Sequence, residues 1–100
     1  MPTVRLDFDY TQGTDPATRF RVERRTGAAG AWGMIGEVQP VDPGQATYTY
    51  DDTTVLEGQS YGFRVSAVNA GGTVSAPSNV VTLAVPGVLN VPTNLRGALV

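Results

Sequence analysis

Neither cysteine nor histidine occurs among the 100 residues. Without thiols there is no disulfide and no thiolate metal site. Without imidazole, the usual general base near neutral pH and the commonest transition-metal ligand are both missing. Lysine is absent too, so all seven basic residues are arginines, set against nine carboxylates for a formal net charge of −2. That balance gives no overall attraction to nucleic acid or to an anionic membrane surface, and neither partner is expected. No apolar run approaches the ~20 residues needed to cross a bilayer. The opening residues, Met1 to Asp7, lack the charged and apolar regions of a secretory leader. The expectation is cytoplasmic synthesis without a leader, followed by use in a virion or another extracellular assembly.

What the chain does have is alternation. Val4, Leu6, Phe8 and Tyr10 alternate with Arg5, Asp7 and Asp9, the pattern of a half-buried strand. Turn formers from Thr11 to Pro16 precede a second strand, in which Phe20 and Val22 alternate with Arg19, Arg21 and Glu23. A third, weaker strand from Trp32 to Val38 is interrupted by Gly33 and Gly36, and a short fourth covers Thr47 to Tyr50. The clearest is the fifth, where Tyr61, Phe63, Val65 and Ala67 alternate with Gly62, Arg64 and Ser66 before the turn Asn69-Ala70-Gly71-Gly72. A sixth runs from about Asn79 to Val85. No segment holds an apolar period of 3.6 over three turns, so no helix beyond a turn or two is expected. Short strands with turn signals between them, in a chain long enough for one core, predict an all-β antiparallel sandwich or barrel.

Candidate sites in this pattern have plain structural explanations. Arg19, Arg21, Arg24 and Arg25 suggest an anionic partner, but they read as outward strand positions interleaved with carboxylates. Asp51 and Asp52, with Asp7 and Asp9, lack the spacing of a calcium loop and read as a solvated face. No nucleophile, base and metal come together, so a non-enzymatic protein without a cofactor is expected.

Nearly the whole chain resembles the fibronectin type III domains. Leu6-Asp7-Phe8 is similar to the family's strand B, and Phe20-Arg21-Val22-Glu23-Arg24 to its strand C. Trp32 matches the aromatic that opens strand C′. Val55-Leu56-Glu57-Gly58-Gln59-Ser60-Tyr61 resembles its tyrosine corner, with Glu57 where the family has proline. Tyr61 to Gly72 and Ser75 to Asn79 resemble strand F, the FG turn and the start of strand G. The resemblance implies an immunoglobulin-like sandwich with Phe8, Phe20, Val22, Trp32, Tyr50, Tyr61, Phe63 and Val65 in its core. It also implies that the Tyr61 hydroxyl returns to the backbone at the E–F corner. With Trp32 and the tyrosines in the core, a carbohydrate platform has no support. The FG loop carries Ala-Gly-Gly-Thr, so integrin-type adhesion does not transfer.

One feature departs from the family. Three residues before Val4 cannot form strand A, whereas Val91-Pro92-Thr93-Asn94-Leu95-Arg96-Gly97-Ala98-Leu99-Val100 has that strand's pattern. The expected organisation is a body over residues 1–85, a connector over 86–90, and a strand-A-like arm over 91–100. Strand A of the family starts at the end of the sandwich away from where strand G finishes. A five-residue connector reaches at most about 18 Å, short of the roughly 20–30 Å length of a strand. Donation in trans is therefore favoured, beside cis closure, docking on a different partner, and a tail left by a cut at the wrong domain boundary of a larger protein. Its interface would contain Val91, Pro92, Leu95, Gly97, Leu99 and Val100 from the arm, with Val4 and Leu6 on the receiving strand. The expected function is a structural subunit joined head-to-tail to copies of itself, such as a virion decoration protein of a bacteriophage. The alternative is a binding or spacer repeat from a bacterial surface protein or a secreted carbohydrate-active enzyme.

Overall fold

A computed structural model describes residues 2–87 and 92–99. The expectations for Val91 and Val100 lie outside the described residues. Six strands are present: β1 (Val4–Asp9), β2 (Ala17–Thr26), β3 (Gly33–Val38), β4 (Thr47–Asp52), β5 (Ser60–Asn69) and β6 (Val81–Ala84). There is no helix among the described residues. β1 and β4 make one sheet, and the order β3-β2-β5-β6 makes the other, with every pairing antiparallel. The chain is thus an all-β, immunoglobulin-like sandwich of two unequal sheets.

Alternation sets the core. Leu6 of β1, Val22 of β2, and Tyr61 and Phe63 of β5 bury their side chains together with Val4, Val55 and Val85. A second cluster gathers Ala17, Phe20 and Tyr48, with Phe8 and Tyr10 packed on it. The rings of Phe8 and Tyr10 meet Phe20 edge-on, at 5.0 and 4.9 Å between centroids. Phe8, Tyr50 and Val65 are half-buried at the margins of these clusters.

Two strands are longer than their alternation suggests. β2 and β5 run on together to Thr26 and Ser60, held by a ladder from Ala17↔Asn69 to Thr26↔Tyr61. Gly33 and Gly36 do not interrupt β3. Gly36 lies beneath the Tyr50 ring, where a Cβ would strike the hydroxyl. That hydroxyl donates to the Ile35 carbonyl (3.1 Å), at the bulge where β3 passes Val22 and Glu23.

The Tyr61 hydroxyl accepts the Leu56 N–H (2.9 Å), closing the corner between β4 and β5. Gly58 sits in that corner at φ 78°, a left-handed conformation that favours glycine. The Asn69–Gly72 turn forms as its composition predicts, with the Gly72 N–H donating to the Asn69 carbonyl (3.0 Å).

Three expectations are corrected. Trp32 is not a core residue. It lies half-buried on the outer face of the larger sheet, with the guanidinium groups of Arg25 and Arg64 at 4.8 and 4.3 Å from its ring. Gly62, which lacks a side chain, provides the flat seat under Arg25 and Trp32, and guanidinium–aromatic stacking holds the indole there. Asp52 is not part of a solvated face: it is buried and accepts from Arg24 Nη1 (2.8 Å). Arg24 correspondingly leaves the outward series, stacking on Tyr61 at 4.9 Å, whereas Arg19 pairs outward with Glu37.

Candidate functional site

The two long margins of the sandwich differ. Along one, β3 and β4 are tied by the Tyr50–Ile35 hydrogen bond, and the Arg24–Asp52 pair links β2 to β4 nearby. Along the other, between β1 and β6, lies a groove.

β1 forms its first wall, and its only strand partner among the described residues is β4. The Tyr10 N–H donates to the Ala46 carbonyl on the β4 side (2.9 Å). Backbone groups alternate sides in an antiparallel strand, so those of Phe8 and Leu6 also face β4. The N–H and C=O groups of Arg5, Asp7 and Asp9 face the open edge.

β6 forms the other wall. Val81 and Leu83 pair with Phe63 and Tyr61, and therefore point to the same, inward side of their sheet. Phe63 and Tyr61 are 2% and 3% exposed, but Val81 and Leu83 are 41% and 37% exposed. Inward-facing residues of a sandwich strand stay this open only where a covering element is missing.

Upstream of β6 the wall continues without a regular strand, because Pro77 has no N–H to donate. Ser75 and Ser78 take over the pairing with β5. The Ser78 N–H donates to the Val65 carbonyl (2.8 Å) while its hydroxyl accepts the Val65 N–H (3.0 Å). Ser75 does the same with Ala67, at 2.8 and 2.9 Å.

Between the walls are two bays in line, one of mixed and one of mainly apolar lining. One, of about 340 Å³, is lined by the apolar Leu6, Phe63 and Val81 and by the polar Asp7, Arg64 and Asn79. The other, of about 200 Å³, is lined by Tyr10, Phe20, Ala67 and Pro77. Phe8 and Val65, together with Asp9 and Ser78, line both, and the two apolar side chains make the ridge between them.

The outer rim of β1 is acidic. Arg5 is held by Asp51 through two hydrogen bonds (2.9 and 3.1 Å). This pairing holds the Asp51 carboxyl below its usual range and raises the Arg5 guanidinium. Asp7 and Asp9 accept from the Thr49 and Thr47 hydroxyls (2.7 and 3.1 Å) and have no cationic partner among the described residues.

No protein-family model matches the chain, and no curated protein does either. A solved structure does. The twitchin kinase region from C. elegans (Fn31-NL-kin-CRD-Ig26) resembles it with a TM-score of 0.65 and 22% identity, over 84% of this chain. The likeness supports the immunoglobulin and fibronectin type III-like fold. The chain corresponds to 14% of the length of that structure.

Of the residues expected at an interface, Leu6 lines the larger bay, and Val4 is buried in the core cluster that also holds Val85. Pro92, Leu95, Gly97 and Leu99 are exposed and belong to no strand, with Leu95 and Leu99 fully exposed. Residues 92–99 are therefore not docked on the chain's own groove. Val81, Leu83 and the Ser75–Ser78 wall are not foreseen from the sequence. In sequence, the alternation Val81-Leu83-Val85 marks them only as ordinary core positions of a strand. The groove combines main-chain donors and acceptors that face an open edge with bays that each hold apolar side chains, which suits an extended peptide added as a strand.

Proposed function

We propose that the chain is a structural interaction module that completes its sandwich with a β-strand from a neighbouring molecule. The strand it takes is the C-terminal arm of another copy. The exposure of the inward-facing Val81 and Leu83 carries this reading. The open β1 edge and the undocked Leu95 and Leu99 add to it.

Burying each leucine stabilises by about 1.5–3 kcal/mol before the entropy of ordering the arm is subtracted. The backbone ladder adds direction. Because arm and groove are different surfaces, the contact is heterologous and closes into a ring or extends as a filament. No feature of the fold singles out a virion as the assembly, and the proposal is made for arm and groove alone.

The test is the mass in solution of the full chain against a chain ending at Val85, over a micromolar concentration series. A concentration-dependent ladder in the full chain, lost on truncation and on Leu95→Asp, is the expected result. A stable monomer in every case overturns the proposal.

One observation favours a second reading. The chain is similar to a small part of a much longer one, as a spacer or binding repeat would be. Binding of a carbohydrate or protein ligand that survives removal of the arm is the outcome that would select it.

A further inference from the structure

We infer that the arm pairs antiparallel with β1 in one register, Leu95 opposite Tyr10 and Leu99 opposite Leu6, and that Arg96 facing Asp9 selects it. The inference rests on the strand-donation reading above and adds its geometry and specificity.

Side chains of a strand alternate, so Leu95, Gly97 and Leu99 share one face, with Asn94, Arg96 and Ala98 on the other. Two leucines four residues apart stand about 13 Å from each other in an extended chain. The groove offers two bays in line, separated by the Phe8–Val65 ridge. Placing Gly97 opposite Phe8 lets the arm cross the ridge with no side chain to clash. Leu95 then enters the bay lined by Tyr10, Phe20 and Ala67, and Leu99 enters the bay lined by Leu6, Phe63 and Val81.

The outward face agrees with this placement. With Gly97 opposite Phe8, Arg96 stands opposite Asp9 and Ala98 opposite Asp7. Asp9 has no cationic partner among the described residues, and Arg96 has no carboxylate partner there. Opposite charges directly across a ladder stabilise the pairing, whereas a slip by one residue turns both leucines to solvent. The backbone fits as well: Asp9 is among the residues whose N–H and C=O face the open edge, so Asp9 and Arg96 would exchange both ladder hydrogen bonds.

Polarity follows from where the chain leaves its own body. Val85 shares a buried cluster with Val4, at the start of β1, and its N–H donates to the Gln59 carbonyl (2.8 Å). An arm running parallel to β1 would start at that same end and reach its own groove after a short turn. It does not lie there, since Leu95 and Leu99 are fully exposed. An antiparallel arm enters at the Tyr10 end, which a neighbouring copy presents without any return across the sandwich.

The absence of cysteine makes the test clean. Arg96→Cys protein is mixed under mild oxidation with Asp9→Cys protein, and separately with Asp7→Cys protein. A disulfide joining two different variants is necessarily intermolecular. Directly opposite residues of a ladder have Cα atoms about 5.5 Å apart, within disulfide range, while diagonal neighbours lie beyond 7 Å. The expected result is a mixed dimer with Asp9→Cys that exceeds the one with Asp7→Cys by about fivefold or more.

A preference for Asp7→Cys overturns the register and leaves strand donation standing. If neither mixture cross-links but the full chain still forms the truncation-sensitive ladder, the arm docks away from β1 and the inference fails. If the ladder is missing too, the donation reading fails with it.

Discussion

Asp52 ends β4 with its carboxylate buried, and three donors meet it there. They are the Thr54 N–H (2.9 Å), the Thr54 hydroxyl (2.6 Å) and Arg24 Nη1 (2.8 Å). Burial pushes its pKa up, but the Thr54 hydrogen bonds and Arg24 together outweigh it and hold the group below the usual carboxylate range. A carboxylate with a depressed pKa in the folded state stabilises above its unfolded pKa of about 3.9, and that contribution is lost as pH falls through the folded value. Thermal unfolding is therefore expected to move to lower temperature on acidification from about pH 5 towards pH 2. Asp52→Asn should lower Tm at pH 7 and reduce this acid dependence. An unchanged acid dependence in the variant would assign the effect to other groups. Nothing in the local sequence marks Asp52 apart from Asp51. What separates them is strand alternation, which turns Asp51 outward to Arg5 and Asp52 inward to Arg24.

At the scale of strands, the two margins of the sandwich show what the alternation pattern can and cannot reveal. β1 and β5 are legible because their apolar residues repeat every second position against charged ones. The limits of β2 and β5 are not, because pairing extends both strands beyond their apolar residues into Arg25–Thr26 and Ser60. β3 reads as broken because a glycine has no side chain to show which face it is on. Here Gly36 makes room for Tyr50, whose hydroxyl takes up the carbonyl of the bulged Ile35. Burial also raises the pKa of this tyrosine, with the Asp52 charge adding to it. Gly36→Ala should force Tyr50 off its bond and loosen the closed margin, lowering stability by about 1–3 kcal/mol, the usual cost of overpacking. Chemical denaturation of the variant measures this, and a pairing of Gly36→Ala with Tyr50→Phe tests the cause. The two costs should be less than additive if they act through the same contact. The groove margin was legible only through the strand-A-like pattern of residues 91–100, which calls for a sheet edge to receive it. Its apolar wall could not be read, because Val81 and Leu83 look like ordinary core positions until their exposure is known.

For the molecule as a whole, the described residues leave the margin between β1 and β6 open, in a chain that also holds a candidate strand to cover it. A two-stranded sheet is marginal alone, and β1–β4 is kept in place by packing on the larger sheet through Leu6, Phe8 and Tyr48. A third strand beside β1 would bury the bay residues and remove an edge otherwise open to unspecific pairing. If that strand comes from another copy, folding and assembly share one equilibrium, and any species that binds only the folded state raises its stability by mass action. The Tm of the full chain should then rise with protein concentration. Each tenfold increase above the dissociation constant adds about 1.4 kcal/mol, which corresponds to several degrees for a domain of this size. The chain ending at Val85 should show a lower Tm with no such dependence. Adding a synthetic peptide of the arm sequence to the truncated chain should restore the dependence, now on peptide concentration. A concentration-independent Tm equal in both chains would mean that the arm contributes nothing to the folded state. A Tm higher in the full chain but independent of concentration would mean that the arm closes its own groove. The reach of a five-residue connector, which favoured donation in trans, is too short a measure: with pairing starting at Leu95, nine residues follow Val85, a reach of about 30 Å. Chain length alone therefore permits cis closure, and the concentration series is the measurement that separates the two.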